Sequence, residues 1–287
     1  MFNTLKENIE RRLGLAARET VVRQDEPIEN VNQWSGRYSR WRYNENLTNY
    51  SFVENKYAPF TPIRRAHPFL NLALISSAGA YIDGTEPFDT TARDGDPNFR
   101  EIPTEVGAAD LRYAARGYDP TAVQQDRNVQ IPVDRLQELE ANSFIGHLND
   151  VWWSFNGFIP NARLVADEIA PKLIERLHRY GTQGALLIPA SRLCHQSVAI
   201  LARAIEQTGI PTMMISVEKE LTETIRPPRA AYYAGELGSV AGKPNWKEYQ
   251  HRILEESIRW IESFDQPTTR KLAVDLETDV EKERGEK

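Results

Sequence analysis

Residues 184–216 constrain the fold more than any other stretch. GALLIP (184–189) and IPTMMIS (210–216) each carry an apolar run of about five residues, and CHQSVAILARAIEQTG (194–209) lies between them. In that middle segment Val198, Leu201 and Ile205 fall at i, i+3 and i+7, which predicts a helix with one buried stripe. Strand, helix, strand with uninterrupted apolar strands is a βαβ unit, and its strands should be parallel and covered on both faces. The expected class is therefore α/β: a mostly parallel sheet with flanking helices, built from Rossmann-like or flavodoxin-like βαβ units.

The rest of the chain is read around that unit. Leu72–Ile75 form a second short apolar run that closes on Ser76, Ser77, Ala78 and Gly79, as a buried strand running into a small-residue loop does. NARLVADEIAPKLIERLHRYG (161–181) has Leu164, Ile169, Leu173, Ile174 and Leu177 near helical spacing, with Gly181 as its stop. The expected division is a helix and aromatic arm over 1–65, an α/β body over 66–265 and a charged tail over 266–287. The arm alternates aromatics with arginines in WSGRYSRWRYNENLTNYSFVENKYAPFTPIRR (34–65). Such a pattern suits stacking on a nucleic acid or wrapping onto a protein body, and the net charge of −6 favours wrapping. Leaving the arm's Trp and Tyr in water is costly, so a homo-oligomer is expected. No run approaches eighteen consecutive apolar residues, and the first twenty residues lack a signal peptide's apolar core, so the chain is read as cytoplasmic, with no membrane and no nucleic acid as partner.

Of the 287 residues one is a cysteine, Cys194, placed just beyond the predicted strand end at Ile188 and at the head of the predicted helix. Backbone N–H groups and the positive end of the helix dipole should face its sulfur and favour thiolate. Arg192 and His195 beside it add positive charge or a proton carrier. A lone cysteine is commonly inert packing, but here Ser191, Arg192, His195, Gln196 and Ser197 surround it. His147, next to the Trp152–Trp153 pair, is a candidate general acid. Ser76, Ser77, Arg93, Arg100, Arg192, Arg226 and Arg229 are candidate substrate contacts, Arg93 and Arg100 as part of a polar site and Arg226 and Arg229 as carboxylate anchors. Two tight turns explain every glycine and proline around Arg93 and Arg100 without a polar site. His67, His147 and His195 have no metal-ligand spacing, so no metal is expected; no dinucleotide fingerprint or P-loop is present, so no cofactor is expected either.

The block GALLIPASRLCHQSVAILARAIEQTGIPTMMIS resembles the corresponding block of the selenoprotein B family of glycine, sarcosine, betaine and D-proline reductases. ALISSAGAY, PFD and GDPNFREIP, then YDP and DRNVQIPVDRL, then PPRAAYYAGELGSVAGKP, follow that family's order and spacing over roughly residues 70 to 262. The resemblance implies reduction by a selenol or thiol that attacks a substrate carbon and displaces an amine. It implies a pyruvoyl-type partner subunit that activates a small amino-acid-like substrate and a thioredoxin-like reductant that restores the thiol. With Cys194 alone, an internal resolving disulfide cannot form. Two functions remain open: a thiol-dependent reductase or group-transfer enzyme with Cys194 as nucleophile, or a catalytically silent α/β subunit that binds a small molecule or a partner protein.

Overall fold

A computed structural model describes residues 50–274. Its strands are β1 (Asn71–Ser76), β2 (Ala80–Ile82), β3 (Phe99–Pro103), β4 (Leu111–Tyr113), β5 (His147–Leu148), β6 (Val151–Phe155), β7 (Gly184–Ile188), β8 (Thr212–Ser216), β9 (Arg229–Tyr232) and β10 (Thr268–Lys271). The main sheet runs β10-β9-β8-β7-β1-β6-β3, with β5 also on β1, and every pairing in it is parallel except β3 on β6. β2 and β4 form a separate antiparallel ribbon.

The helices are α1 (Thr121–Gln125), α2 (Val133–Ala141), α3 (Ala162–Leu164), α4 (Ala170–Arg179), α5 (Arg192–Glu206), α6 (Lys219–Ile225) and α7 (Lys247–Ser263). The alternating strand residues Ala73, Ile75, Ala185 and Leu187 pack with α4, α5 and α6 on one face. Leu72, Leu74, Leu186 and Ile188 pack with α2 and α7 on the other. That two-sided cover is why β1 and β7 read as unbroken apolar runs rather than alternating ones. Trp152 and Trp153 are fully buried, one in each core. The segment 162–179 is helical as expected, with one π turn over Val165–Ile169 just before Pro171. Proline's missing N–H and its ring do not fit an unbroken α-helical ladder. Gly181 ends the helix at φ +64°.

Two expectations change. α5 was expected to bury one stripe, yet every residue from Leu193 to Glu206 is buried. Its polar side is covered by residues 50–61: the Gln196 Oε1 accepts from Val53 N at 2.8 Å, Arg203 donates to the Tyr57 carbonyl at 2.8 Å and Glu206 Oε1 accepts from Thr61 N at 2.7 Å. The charged tail was expected from 266, but Thr268–Lys271 add β10 to the sheet beside β9, and Leu272 and Val274 enter the core. The charges of Arg270 and Lys271 hid an edge strand. Residues 1–49 of the arm expected over 1–65, and the tail beyond 274, lie outside the described residues. Among those described, no helix is long and apolar enough to cross a membrane.

Candidate active site

The strand order sets the position of the site. β1 leads toward β6 and β3 on one side, while β7 leads through α5 to β8, β9 and β10 on the other. Loops that leave adjacent parallel strands in opposite directions open a crevice at the carboxyl ends, the usual ligand position of such sheets. Here that crevice lies between Ser76 and Ile188, partners in the β1–β7 register.

Cys194 sits at its floor, 1% exposed, in the first turn of the 15-residue α5. Ser191 is the N-cap: its Oγ accepts from Cys194 N at 3.1 Å and donates to Cys194 Sγ at 3.0 Å. The thiol faces the Ser77 carbonyl at 3.9 Å, and the Ser77 hydroxyl accepts from Ala190 N at 2.9 Å. A third loop closes in from β6. Gly157 N donates to the Ser77 carbonyl, and a Cβ on Gly157 would lie 2.5 Å from the Ser77 Cβ and 3.1 Å from Cys194 Sγ. Only glycine lets the three loops meet at the sulfur. From above, Tyr118 packs on the small cluster of Ala78, Ala190 and Cys194 and donates to the Ala78 carbonyl at 2.6 Å. Burial pushes its phenol up, and a charge on Cys194 pushes it the same way, so it remains a proton donor.

The electrostatics differ from the sequence expectation. Burial pushes the Cys194 thiol up, outweighing the hydrogen bonds from Ser191 and Ser77 that favour thiolate. His195 is held neutral. Its Nδ1 donates to the Ser191 carbonyl at 2.7 Å while its Nε2 accepts from Val217 N at 3.3 Å, and burial lowers its pKa to about 4. Both ring nitrogens are committed to backbone, so the imidazole braces the start of α5 against the loop after β8.

Outside the floor lies an open cleft of about 550 Å3 with Tyr50 and Phe52 on one side, Gly117 and Phe158 on another, and Ser191 and Arg192 at its base. Arg192 is exposed and stands 5.7 Å from the Phe52 ring centre; Arg116 stacks on Phe158 at 4.5 Å. A recess of about 450 Å3 at the amino ends of β9 and β10, beside Tyr57 and Arg226, holds neither Cys194 nor a histidine.

The structure thus brings together Ser76, Ser77, Arg192, Cys194 and His195. It does not bring the others there. His147 faces Asn71 at the amino end of β1, exposed and bonded to Glu140 at 2.8 Å. Arg226 caps α6 and Arg229 begins β9, so both stand at the opposite pole, because α6 carries the chain back across the sheet. Arg229 is wholly buried on Glu206 and under Phe60. Arg100, on β3 two strands from β1, donates to the Phe99 and Glu86 carbonyls. Arg93 is exposed on the loop before β3, where the Asp96 carboxylate serves the turn through Asp89 N and Asn98 N. Gly157, Tyr118 and the Tyr50–Phe52 wall were not singled out, and Ser191 and Gln196 only as polar sequence neighbours of Cys194. The Asn-Gly after VWWSF was the one available signal, a turn residue directly after a strand.

Fold and site together define an α/β protein with a lone buried cysteine at the reversal of strand order. The family model described as glycine/sarcosine/betaine reductase selenoprotein B matches residues 102–190, from β3 to the residue before the α5 cap. The D-proline reductase subunit gamma of Acetoanaerobium sticklandii is 30% identical over 202 residues, 70% of this chain and 82% of that protein. The glycine reductase complex component B subunit gamma of Symbiobacterium thermophilum is 33% identical over 124 residues, 42% of this chain and 28% of that protein. The betaine reductase complex component B subunit beta of Peptoclostridium acidaminophilum is 24% identical over 142 residues, 48% of this chain and 32% of that protein. The chain belongs to the glycine/sarcosine/betaine reductase selenoprotein B family. No solved structure matches it.

Proposed function

We propose that the chain is the sulfur-bearing subunit of a reductase complex that cleaves a carbon–nitrogen bond of a small amino-acid-like substrate. The observation that carries this reading is the convergence of three loops on Cys194 at the crevice between β1 and β7, beside an open cleft. In the step proposed, the Cys194 thiolate forms a carbon–sulfur bond as the carbon–nitrogen bond breaks, and the amine leaves with the bonding pair and takes up a proton. An outside dithiol then attacks the Cys194 sulfur. The carbon leaves with its electron pair and is protonated, and the dithiol's second sulfur resolves the mixed disulfide, restoring the thiol and becoming oxidised.

Burial keeps the resting group a thiol, so something must remove its proton at the right time. A cationic nitrogen brought beside the sulfur supplies that bias, since a positive charge within a few ångströms favours the thiolate. Ionisation is then tied to the arrival of substrate, activated by a pyruvoyl-type partner subunit. Arg192 at the base of the cleft is the carboxylate anchor. His195 and Ser191 position the sulfur, and Tyr118, held on the Ala78 carbonyl, closes the apolar cluster against it.

The low exposure of Cys194 supports a second reading, a silent subunit that binds but does not react. The experiment that separates them assays the assembled complex on D-proline, glycine, sarcosine and betaine, with dithiothreitol as reductant and amine release as the readout. The reductase reading expects turnover of one of these, with a substrate-derived thioether trapped on the Cys194 peptide when reductant is withheld. Turnover without any Cys194 adduct and undiminished in Cys194→Ser supports the silent reading.

A further inference from the structure

We propose that Gln196 is a positioning residue that sets the width of the cleft beside Cys194, by latching the Tyr50–Phe52 wall to α5. The inference rests on the reading of that cleft as the route to the thiol. Gln196 lies two residues beyond Cys194 on the same helix and is fully buried. An amide inside a protein is costly unless its donor and acceptor ends are both paired. Here the acceptor takes Val53 N at 2.8 Å, and Nε2 donates to the Tyr50 hydroxyl at 2.9 Å. The Tyr50 hydroxyl in turn donates to the Pro160 carbonyl at 2.8 Å.

That relay joins three separate parts of the cleft. It runs from the helix that holds the nucleophile, through the wall made by Tyr50 and Phe52, to the loop that carries Phe158. The rings pack along it: Tyr50, Phe158 and Leu193 form one apolar cluster with Phe52 against it, and Tyr50 meets Phe52 edge to face at 4.9 Å. The bond directions require the amide. A methionine of similar length would leave the Val53 N–H unpaired in the interior. A glutamate could accept from Val53 but could not donate to Tyr50. Position 196 is therefore read as a latch, whereas the apolar stripe of Val198, Leu201 and Ile205 on the same helix only fills the core. With the latch closed, the gap between Phe52 and Phe158 is fixed and admits small molecules; with it open, the wall can swing away from α5.

The test uses the full chain, in which a label on sulfur reports Cys194 alone. Native protein is treated with iodoacetamide and, separately, with fluorescein maleimide, and the ratio of the two labelling rates is referred to the same ratio for the urea-unfolded chain. The wild type is expected to favour the small reagent strongly after this normalisation. Gln196→Met is expected to lower the ratio at least about tenfold by admitting the bulky reagent. A general loosening also moves the ratio toward that of the unfolded chain, but through opened states that low, sub-denaturing urea multiplies. The latch predicts a lowered ratio already present without urea and unchanged by it, and a lowering that grows with urea overturns the proposal. Tyr50→Phe, which keeps the ring and the Val53–Gln196 bond, is expected to lower the ratio by a smaller factor and serves as the test if Gln196→Met does not fold. An unchanged ratio in every variant that folds overturns the proposal, as does a wild-type ratio equal to that of the unfolded chain. Because the readout is labelling rather than turnover, the latch can fail while Cys194 remains the nucleophile, and the reverse.

Discussion

The two ends of α5 solve opposite problems with buried polar groups. At its carboxyl end, Glu206 is fully buried and saturated: its carboxylate accepts from Thr61 N, from Thr212 N and Oγ1, and from Arg229, whose guanidinium also donates to the Thr61 carbonyl. Every one of those partners is supplied by the protein, so the arrangement spends its polarity on holding residues 50–61 to the sheet. At its amino end, Cys194 is buried to the same degree but surrounded by small residues, with a hydroxyl and a distant carbonyl as its neighbours and a cleft beside it. Burial at one end makes a strut. At the other it holds a thiol in its neutral form. Degree of burial does not distinguish the two ends; the open cleft beside Cys194 does.

The largest expected effect lies at the strut. Arg229→Met leaves Glu206 buried without its cation, and breaking one side of a buried ion pair costs about 3–5 kcal/mol. Urea unfolding should show that loss, while labelling of Cys194 in the folded fraction stays as in wild type. Equal loss at both poles would break the comparison.

The next effect is acid-linked. His195 has a folded pKa of about 4 against an ordinary 6.5, so its contribution is complete above 6.5 and is lost as pH falls toward 4. A shift of that size corresponds to about 3 kcal/mol. The stability difference between pH 7 and pH 4 should therefore be larger in wild type than in His195→Gln by about that amount. Equal acid sensitivity in the two proteins would remove the brace assigned to the ring.

Gly157→Ala should cost about 1–3 kcal/mol, because its Cβ has no space beside Ser77 and Cys194. Its turnover per folded molecule should fall as well, since the methyl displaces the sulfur. Smallest is the alkaline effect. The folded thiol is pushed up, so its contribution is full below about pH 8.5, where a free thiol ionises, and is lost as pH rises further. Cys194→Ser should lack that decline in unfolding curves followed from pH 7 to pH 10.

The β1 run and the β7–α5–β8 unit were legible because burial on both faces writes continuous apolar strands and a capped helix into adjacent residues. Cys194 was legible for the same reason, as the residue that follows such a strand. Its surroundings were not. Gly157, Tyr118 and Tyr50 reach it from loops and from the segment before β1, joined by contacts that no local spacing records. The helix dipole was readable and argued for thiolate; the burial that outweighs it depends on those distant residues. Arg226 and Arg229 were assigned to the wrong pole because the seven-residue α6 between them and β8 carried no apolar pattern to betray the return crossing. β10 was missed because an edge strand needs only one apolar neighbour and carries its charges openly.

The proposed reaction site at the amino end of α5 stands or falls with Cys194 as the group that forms the covalent bond. Its most direct test is the turnover of Cys194→Ser in the assembled complex, at a temperature where wild type and variant are equally folded. A covalent role for Cys194 predicts a loss of at least about a thousandfold with little change in Tm, since the hydroxyl fits the same space but does not ionise as a nucleophile. A variant that keeps more than about a tenth of wild-type turnover contradicts it, because that loss is only about 1.4 kcal/mol of barrier and too small for a missing covalent step.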